Sequence, residues 1–263
     1  MPRLAVIGHP VAHSRSPAMQ NAALAALGLE GWRYEAIDVP PEGFEARLRA
    51  MAAEGFAGAN VTVPHKHAAL ELADAPSEVA REIGAANTLV FTAGGVRAHN
   101  TDADGFLAAL PDRTLRGRPA LVLGAGGAAR AVVWALAREG AAVEVWNRTA
   151  ARAEEICAEL GAAAVAAPDQ ASYELIVNTS AAGLGGEDPF AHLPLDAERF
   201  GAGQTVVDMV YGETPSRLLA AAAAAGATVV DGIEVLVQQG ALSLRIWTDR
   251  DAPLDVMRAA ARA

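Results

Sequence analysis

Lysine is almost missing from this chain. Its 21 basic side chains are 20 arginines and one lysine, Lys66. Cysteine is equally scarce, and the single Cys157 excludes an internal disulfide. Lying in the helical run Ala153 to Leu160, it reads as an inert core residue. Positive charge is short overall: the net charge of −10 argues against nucleic acid and anionic membranes as partners. No apolar run approaches the roughly 18 to 20 residues of a membrane span. The longest, Leu218 to Val230, is mostly alanine and is interrupted by Gly226. The residues before Gly8-His9-Pro10 carry one arginine and too short an apolar run for a signal peptide. Internal repeats, low-complexity linkers and long charge runs are absent too. The expectation is a cytoplasmic protein, with its oligomeric state, a homodimer included, left open.

What is present is a regular alternation. The 263 residues are 52 % hydrophobic, enough for a sizeable core and for two domains. Strand patterns fall near Leu4 to Ile7, Arg33 to Val39, Gly58 to Val63 and Asn87 to Phe91. Between them lie helical patterns at 17–27, 42–54, 65–73 and 77–83. Gly94-Gly95 marks a hairpin turn. A second series has strands at 119–123, 142–146, 173–178 and 205–210, with helices at 127–139, 150–160 and 214–225. Helical runs at 233–247 and 253–262 close the chain. The class is α/β with mainly parallel sheets, as two α/β domains. The boundary falls between Asn100 and Arg118, and a cleft between the domains is the expected site for a small ligand.

Ala120-Leu-Val-Leu-Gly124-Ala125-Gly126-Gly127-Ala128-Ala129 is a buried strand entering a glycine-rich turn that opens a helix. Gly124 would allow the tight turn and Gly126 the close approach of backbone to a pyrophosphate. Ala129 stands where a small residue lets helix and strand pack. The pyrophosphate would rest on the helix N-terminus. With a second strand at the right distance, this predicts a Rossmann-type dinucleotide domain. That strand ends in Asn147-Arg148-Thr149 rather than in an acidic residue. Arg148 and Arg152 supply cations and Thr149 a hydroxyl, a pattern suited to a 2′-phosphate and so to NADP over NAD. Thr149 could also simply cap the next helix.

Lys66 invites a chemical reading because an ammonium can give up a proton in a protein and a guanidinium cannot. Pro64 should end the preceding strand and suit the first turn of a helix. Lys66 would then sit in that turn, where the helix dipole disfavours a cation. Chance retention under a compositional bias is the alternative. Ser14 and Ser16 precede Pro17 at another helix start. Ser16 as N-cap and Pro17 at N1 is the plainer reading, a carboxylate pocket the sharper one. Asp102 could cap helix 103–110, or form a proton-relay pair with Lys66. His65 and His67 point to different helix faces, and no metal is expected.

Taken in order, these segments resemble the shikimate dehydrogenase family over nearly the whole chain. The resemblance rests on Ser14-Arg-Ser16-Pro17, Asn60-Val-Thr62-Val-Pro-His-Lys66, Gly84-Ala-Ala-Asn87-Thr and Asn100-Thr-Asp102. It continues through Gly124-Ala-Gly126-Gly127-Ala128, Asn147-Arg-Thr149, Asn178-Thr-Ser180 and Asp231-Gly232 onward to Gln239. It implies reduction of 3-dehydroshikimate to shikimate with NADPH, in aromatic amino-acid biosynthesis, with Lys66 and Asp102 as the catalytic pair. Ser14 and Ser16 would hold the substrate carboxylate, and Thr62, Asn87, Asp102, Tyr211 and Gln239 its hydroxyls or nearby groups. Met209 and Gly232 would lie against the nicotinamide, and Glu78 matches an acidic position on the cofactor side. The resemblance makes residues 1–102 the substrate domain, completed by 236–263, and 103–235 the NADP domain. Gln20, Leu184 and Glu234-Val235 depart from common family residues. Two rival readings are a quinate/shikimate dehydrogenase of dual specificity and a non-catalytic NADP-binding sensor.

Overall fold

The fold is seen in a computed structural model that describes every residue except Glu213. The chain divides into two compact units, residues 1–105 with 236–263, and residues 106–235.

The first unit begins with β1 (Arg3–Gly8), α1 (Ser16–Ala26), β2 (Arg33–Asp38), α2 (Phe44–Ala53) and β3 (Phe56–Val61). It continues with α3 (Lys66–Glu71), β4 (Ala75–Pro76), α4 (Glu78–Ile83), β5 (Thr88–Thr92), β6 (Gly95–His99) and the start of α5 (Asp102–Ala109). The strands order as β2-β1-β3-β5-β6-β4. β1 is apolar on both faces and almost wholly buried, as a central strand with parallel neighbours must be. β5 runs antiparallel to both β3 and β6, so this sheet is mixed, with three of its five pairings parallel. The hairpin signal at Gly94-Gly95 is answered by the turn joining β5 to β6. There Gly95 has φ +111° and its missing Cβ leaves room for the Asp74 carboxylate. The core gathers Ile7, Phe44, Leu48, Met51, Phe56, Val61 and Leu89.

The second unit contains β7 (Pro119–Leu123), α6 (Gly127–Arg138), β8 (Ala142–Trp146), α7 (Ala150–Leu160), β9 (Ala163–Ala164), β10 (Leu175–Asn178), β11 (Thr205–Asp208), α8 (Arg217–Ala224) and β12 (Thr228–Asp231). All six strands are parallel, in the order β12-β11-β10-β7-β8-β9. Strand order reverses direction between β7 and β10, the switch point at which α/β sheets of this type bind ligands. Short β9 and β12 escape periodicity analysis: β9 is two alanines, and β12 follows an alanine-rich helix whose apolar run masks it. Cys157 is buried in α7, where burial raises its thiol pKa, in keeping with an inert core role. Helices α9 (Gly232–Thr248) and α10 (Leu254–Arg262) end the chain. Residues 236–263 belong to the first unit, where Trp247 donates to Leu89 O at 2.9 Å. No helix among the described residues is long and apolar enough to cross a membrane.

Candidate active site

In the first unit, β3 delivers its C-terminal end into a turn that opens α3 with Lys66. Pro64 lies in that turn and not in the helix, which starts at Lys66 with His65 as its N-cap residue. His65 is buried and held twice: its ring stacks on Phe44 with centroids 4.3 Å apart, and Nε2 lies 2.6 Å from Val39 O. A carbonyl only accepts, so Nε2 carries the proton. The start of α3 is thereby fixed, and Lys66 O accepts from Ala86 N at 2.9 Å.

The Lys66 ammonium donates to Asp102 Oδ2 at 2.7 Å, with the two side chains only 12 % and 7 % exposed. The capping role considered for Asp102 belongs to Asn100 instead. Asn100 Oδ1 accepts from the N–H groups of Asp102 and Ala103, and Asn100 Nδ2 donates to Ala85 O. Asp102 is the first residue of α5, and its carboxylate is free for Lys66.

Asn87 fixes the other carboxylate oxygen. Its Nδ2 donates to Asp102 Oδ1 at 2.8 Å and lies 3.2 Å from Gln239 Oε1. The amide orientation is forced, because Thr101 N, an obligatory donor, points at Asn87 Oδ1 from 2.7 Å. Gln239 Nε2 in turn donates to Leu236 O. Lys66, Asp102, Asn87 and Gln239 therefore form one connected group.

Behind it is a hydroxyl and amide cluster that sequence reasoning missed. Asn60 accepts from Tyr34 OH at 2.8 Å and donates to Ser243 Oγ at 2.9 Å, and Ser243 Oγ lies 2.8 Å from Thr88 Oγ1 and 3.1 Å from Thr101 Oγ1. A polar Asn60 inside the otherwise apolar β3 was the one available signal.

Ser14 and Ser16 lie at the start of α1. The N-cap residue is Arg15, without a side-chain cap, and Ser16 is already helical, which places Pro17 second. The capping reading of Ser16 is therefore corrected: α1 starts at Ser16, which lies inside the helix. Ser14 Oγ accepts from Ser16 N at 3.3 Å. Thr62 follows β3 and packs over Gly8, where an added Cβ would fall 2.3 Å from Thr62 Cγ2. Glu78 is exposed in the first turn of α4, beside Ser77, which caps that helix through Ala80 N. There its charge suits the helix dipole. Gln20 donates to Gly240 O at 2.9 Å, tying α1 to α9.

In the second unit, Gly124 turns the chain after β7 with φ +116°. A Cβ there would fall 2.7 Å from Thr179 Oγ1 and 3.1 Å from Ser180 N, so the turns after β7 and β10 abut at the switch point. Gly126 caps α6 in extended backbone and faces open space. Ala125 and Ala128 flank it half-buried, and Ala129 is fully buried against the sheet. Asn147 Nδ2 donates to Thr149 O at 2.9 Å and shapes the turn after β8. Thr149 holds the N-cap position of α7, yet its side chain makes no capping bond. Arg148 and Arg152 are exposed, and neither pairs with a carboxylate among the described residues. An uncapped hydroxyl, two unpaired cations and a cradle that only glycine permits fit a phosphate-bearing dinucleotide.

After β11, Met209 N donates to Asn178 O at 2.9 Å, and Gly232 approaches so closely that a Cβ would lie 2.6 Å from Met209 O. Tyr211 is half-buried two residues on. Asp208, fully buried, accepts from Asn178 Nδ2 at 2.9 Å and Val210 N at 3.1 Å, and burial raises its carboxyl pKa.

Comparison with known proteins agrees along the chain. Family models described as the shikimate dehydrogenase substrate binding domain, shikimate / quinate 5-dehydrogenase, and the shikimate 5′-dehydrogenase C-terminal domain match residues 6–89, 107–180 and 232–262. A shikimate dehydrogenase (NADP(+)) of Anaeromyxobacter sp. (strain Fw109-5) is 48 % identical, covering 98 % of this chain and 95 % of its own. The crystal structure of shikimate 5-dehydrogenase from Thermus thermophilus, in complex with NADP(H) and shikimate, superposes with a TM-score of 0.91 at 44 % identity. That match covers 100 % of this chain and 99 % of the other. Shikimate dehydrogenase from Aquifex aeolicus gives a TM-score of 0.94 at 36 % identity, covering 100 % and 98 %.

Proposed function

This chain belongs to the shikimate dehydrogenase family, and from that premise we propose that it interconverts 3-dehydroshikimate and shikimate with NADPH and NADP. The observation that carries the proposal is the Lys66–Asp102 pair, a 2.7 Å contact between nearly buried side chains. A bound NADPH supplies the hydride that adds to the ketone carbon. The residues of this chain manage the proton. Lys66 Nζ directs one hydrogen to Asp102 and keeps others for the substrate oxygen. As hydride reaches carbon, negative charge grows on that oxygen, and the ammonium stabilises it and transfers a proton to it. The resulting amine regains its proton from water, and the Asp102 carboxylate holds it in place throughout. In the oxidative direction the same pair takes the proton away.

The substrate's carboxylate is assigned to Ser14 and Ser16. Its ring hydroxyls are assigned to Thr62, Asn87, Asp102, Tyr211 and Gln239. The dinucleotide is assigned to Gly124 through Ala128, with Asn147, Arg148, Thr149 and Arg152 around the 2′-phosphate and Met209 and Gly232 beside the nicotinamide. Glu78 has only the family match behind it, since its place at a helix start is explained without a ligand. The absence of an acidic residue after β8 supports NADP over NAD. A cytoplasmic setting suits a biosynthetic reductase with a single buried thiol.

The test is initial rates with shikimate and with quinate, each with NADP and NAD, on one preparation. Fast oxidation of shikimate with NADP alone supports substrate and cofactor together. Comparable rates with quinate or NAD move the protein to dual specificity, and cofactor binding without turnover makes it a sensor.

A further inference from the structure

We infer that Ser243, through Thr88 and Thr101, is a positioning residue that sets the geometry of the Lys66–Asp102 pair from the far side of Asn87. The inference rests on the reading of that pair as the proton-handling centre.

Ser243 is fully buried on α9, and its Oγ lies within 3.1 Å of polar atoms on Asn60, Thr88, Thr101 and Gln239. These come from β3, β5, the segment before α5 and α9 itself. All but Gln239, four residues back on the same helix, are distant from Ser243 in the chain. Buried groups of this kind are costly to leave unsatisfied, so removal of one member makes the others rearrange.

Asn87 is where a rearrangement would reach the chemistry. Its Oδ1 accepts from Thr101 N at 2.7 Å and faces Thr88 Oγ1 at 3.1 Å and Thr101 Oγ1 at 3.2 Å. Those donors hold the amide in the sense that turns Nδ2 toward Asp102 Oδ1. Asp102 Oδ2 is left for Lys66. Without Ser243, the two threonine hydroxyls and Asn60 Nδ2 lose a shared partner. The threonines then seek others, and Asn87 Oδ1 is the carbonyl acceptor that both already face. The amide tilts, and the tilt passes to Asp102 and Lys66. Ser243 touches neither Lys66 nor Asp102 in any hydrogen bond, so its influence is by position alone.

The sole lysine makes the test direct. In protein labelled with lysine carrying ¹³C at Cε only, Lys66 gives one side-chain signal, read without turnover. Ser243→Ala and Thr88→Val each remove a hydroxyl and nearly keep volume, while Thr88→Ser keeps the hydroxyl. The expected result is a displaced lysine signal in Ser243→Ala and Thr88→Val. Alongside it, kcat should fall roughly tenfold with KM for shikimate within about twofold, the pattern of a misplaced catalytic group. Thr88→Ser restores both readouts toward the parent. If the lysine signal and kcat stay at parent values while only the melting temperature falls, the cluster is structural and the inference is wrong. Should Ser243→Ala fail to fold, Thr88→Val decides by the same two readouts. A parent without turnover whose lysine signal still responds to the variants would sink the proposed function and leave the positioning intact.

Discussion

The two units present their chemistry in opposite ways. In the first, functional side chains are saturated with one another: Lys66 with Asp102, Asp102 with Asn87, Asn87 with Thr101 and Gln239. In the second, the groups around the glycine turn are left unsatisfied: Thr149 caps nothing, and Arg148 and Arg152 lack carboxylate partners among the described residues. A group that must move a proton needs a fixed geometry before substrate arrives, because misplacement costs rate. A group that must hold a phosphate needs donors and cations that other side chains of the protein have not already engaged. Mutually bonded side chains and unengaged donors thus suit different tasks within one chain.

The largest effect is expected at the proton-handling pair of the first unit. Lys66→Arg keeps the charge and the Asp102 contact but removes the practical proton donor. We expect kcat for shikimate oxidation to fall roughly 10²- to 10⁴-fold. Near-parent kcat would reduce Lys66 to a positioning charge. In the second unit, Arg148→Ala should raise KM for NADP by about ten- to a hundredfold, the worth of one charged hydrogen bond, and barely change KM for NAD. Equal losses with both cofactors would remove Arg148 from the 2′-phosphate.

Gly124→Ala lies between these extremes, since it tests a cradle made of backbone. The positive φ and the crowding against Thr179 and Ser180 should cost about 1–3 kcal/mol of stability. Thermal unfolding and NADP titration should both register it, and an unchanged melting temperature would contradict the crowding.

The smallest effect concerns Asp208, a buried carboxyl that belongs to neither pattern. Burial raises its pKa, so the folded protein holds this proton more firmly than the unfolded chain does. The associated stability is complete below the ordinary carboxylate value of 3.8 and is lost as pH rises through the raised folded-state value. Asp208→Asn should therefore raise the melting temperature at pH 7, on the order of 2 °C, and much less at pH 4. An equal change at both pH values would mean that the charge is not what matters there.

Much of this was legible in residue order. The helix at 150–160 is placed to the residue by its period and its terminal Gly161, and the strand at 119–123 by its short continuous apolar run ending at Gly124. Gly124 and Gly126 announced their turn, and the lone lysine announced itself. The misses have local causes. Ser16 and Asp102 are good capping residues by type, but Arg15 and Asn100 occupy the positions that matter, one residue earlier and two. The Gly94-Gly95 hairpin implies the antiparallel β5–β6 pair, but the antiparallel β3–β5 pairing was hidden because strand direction is not written in composition.

By itself, then, the sequence determined the alternation of strand and helix, the dinucleotide turn and the candidacy of Lys66. These depend on neighbours a few positions apart, whose spacing is fixed by bond geometry. Only the tertiary structure decided which carboxylate meets Lys66, which way the Asn87 amide faces, and that Ser243 stands behind it. Asn60 and Ser243 are 183 positions apart, and their 2.9 Å hydrogen bond exists because α9 packs its polar face on the end of β3. Such a bond is a property of the folded interior, where a donor must find an acceptor from whichever segment the core brings near.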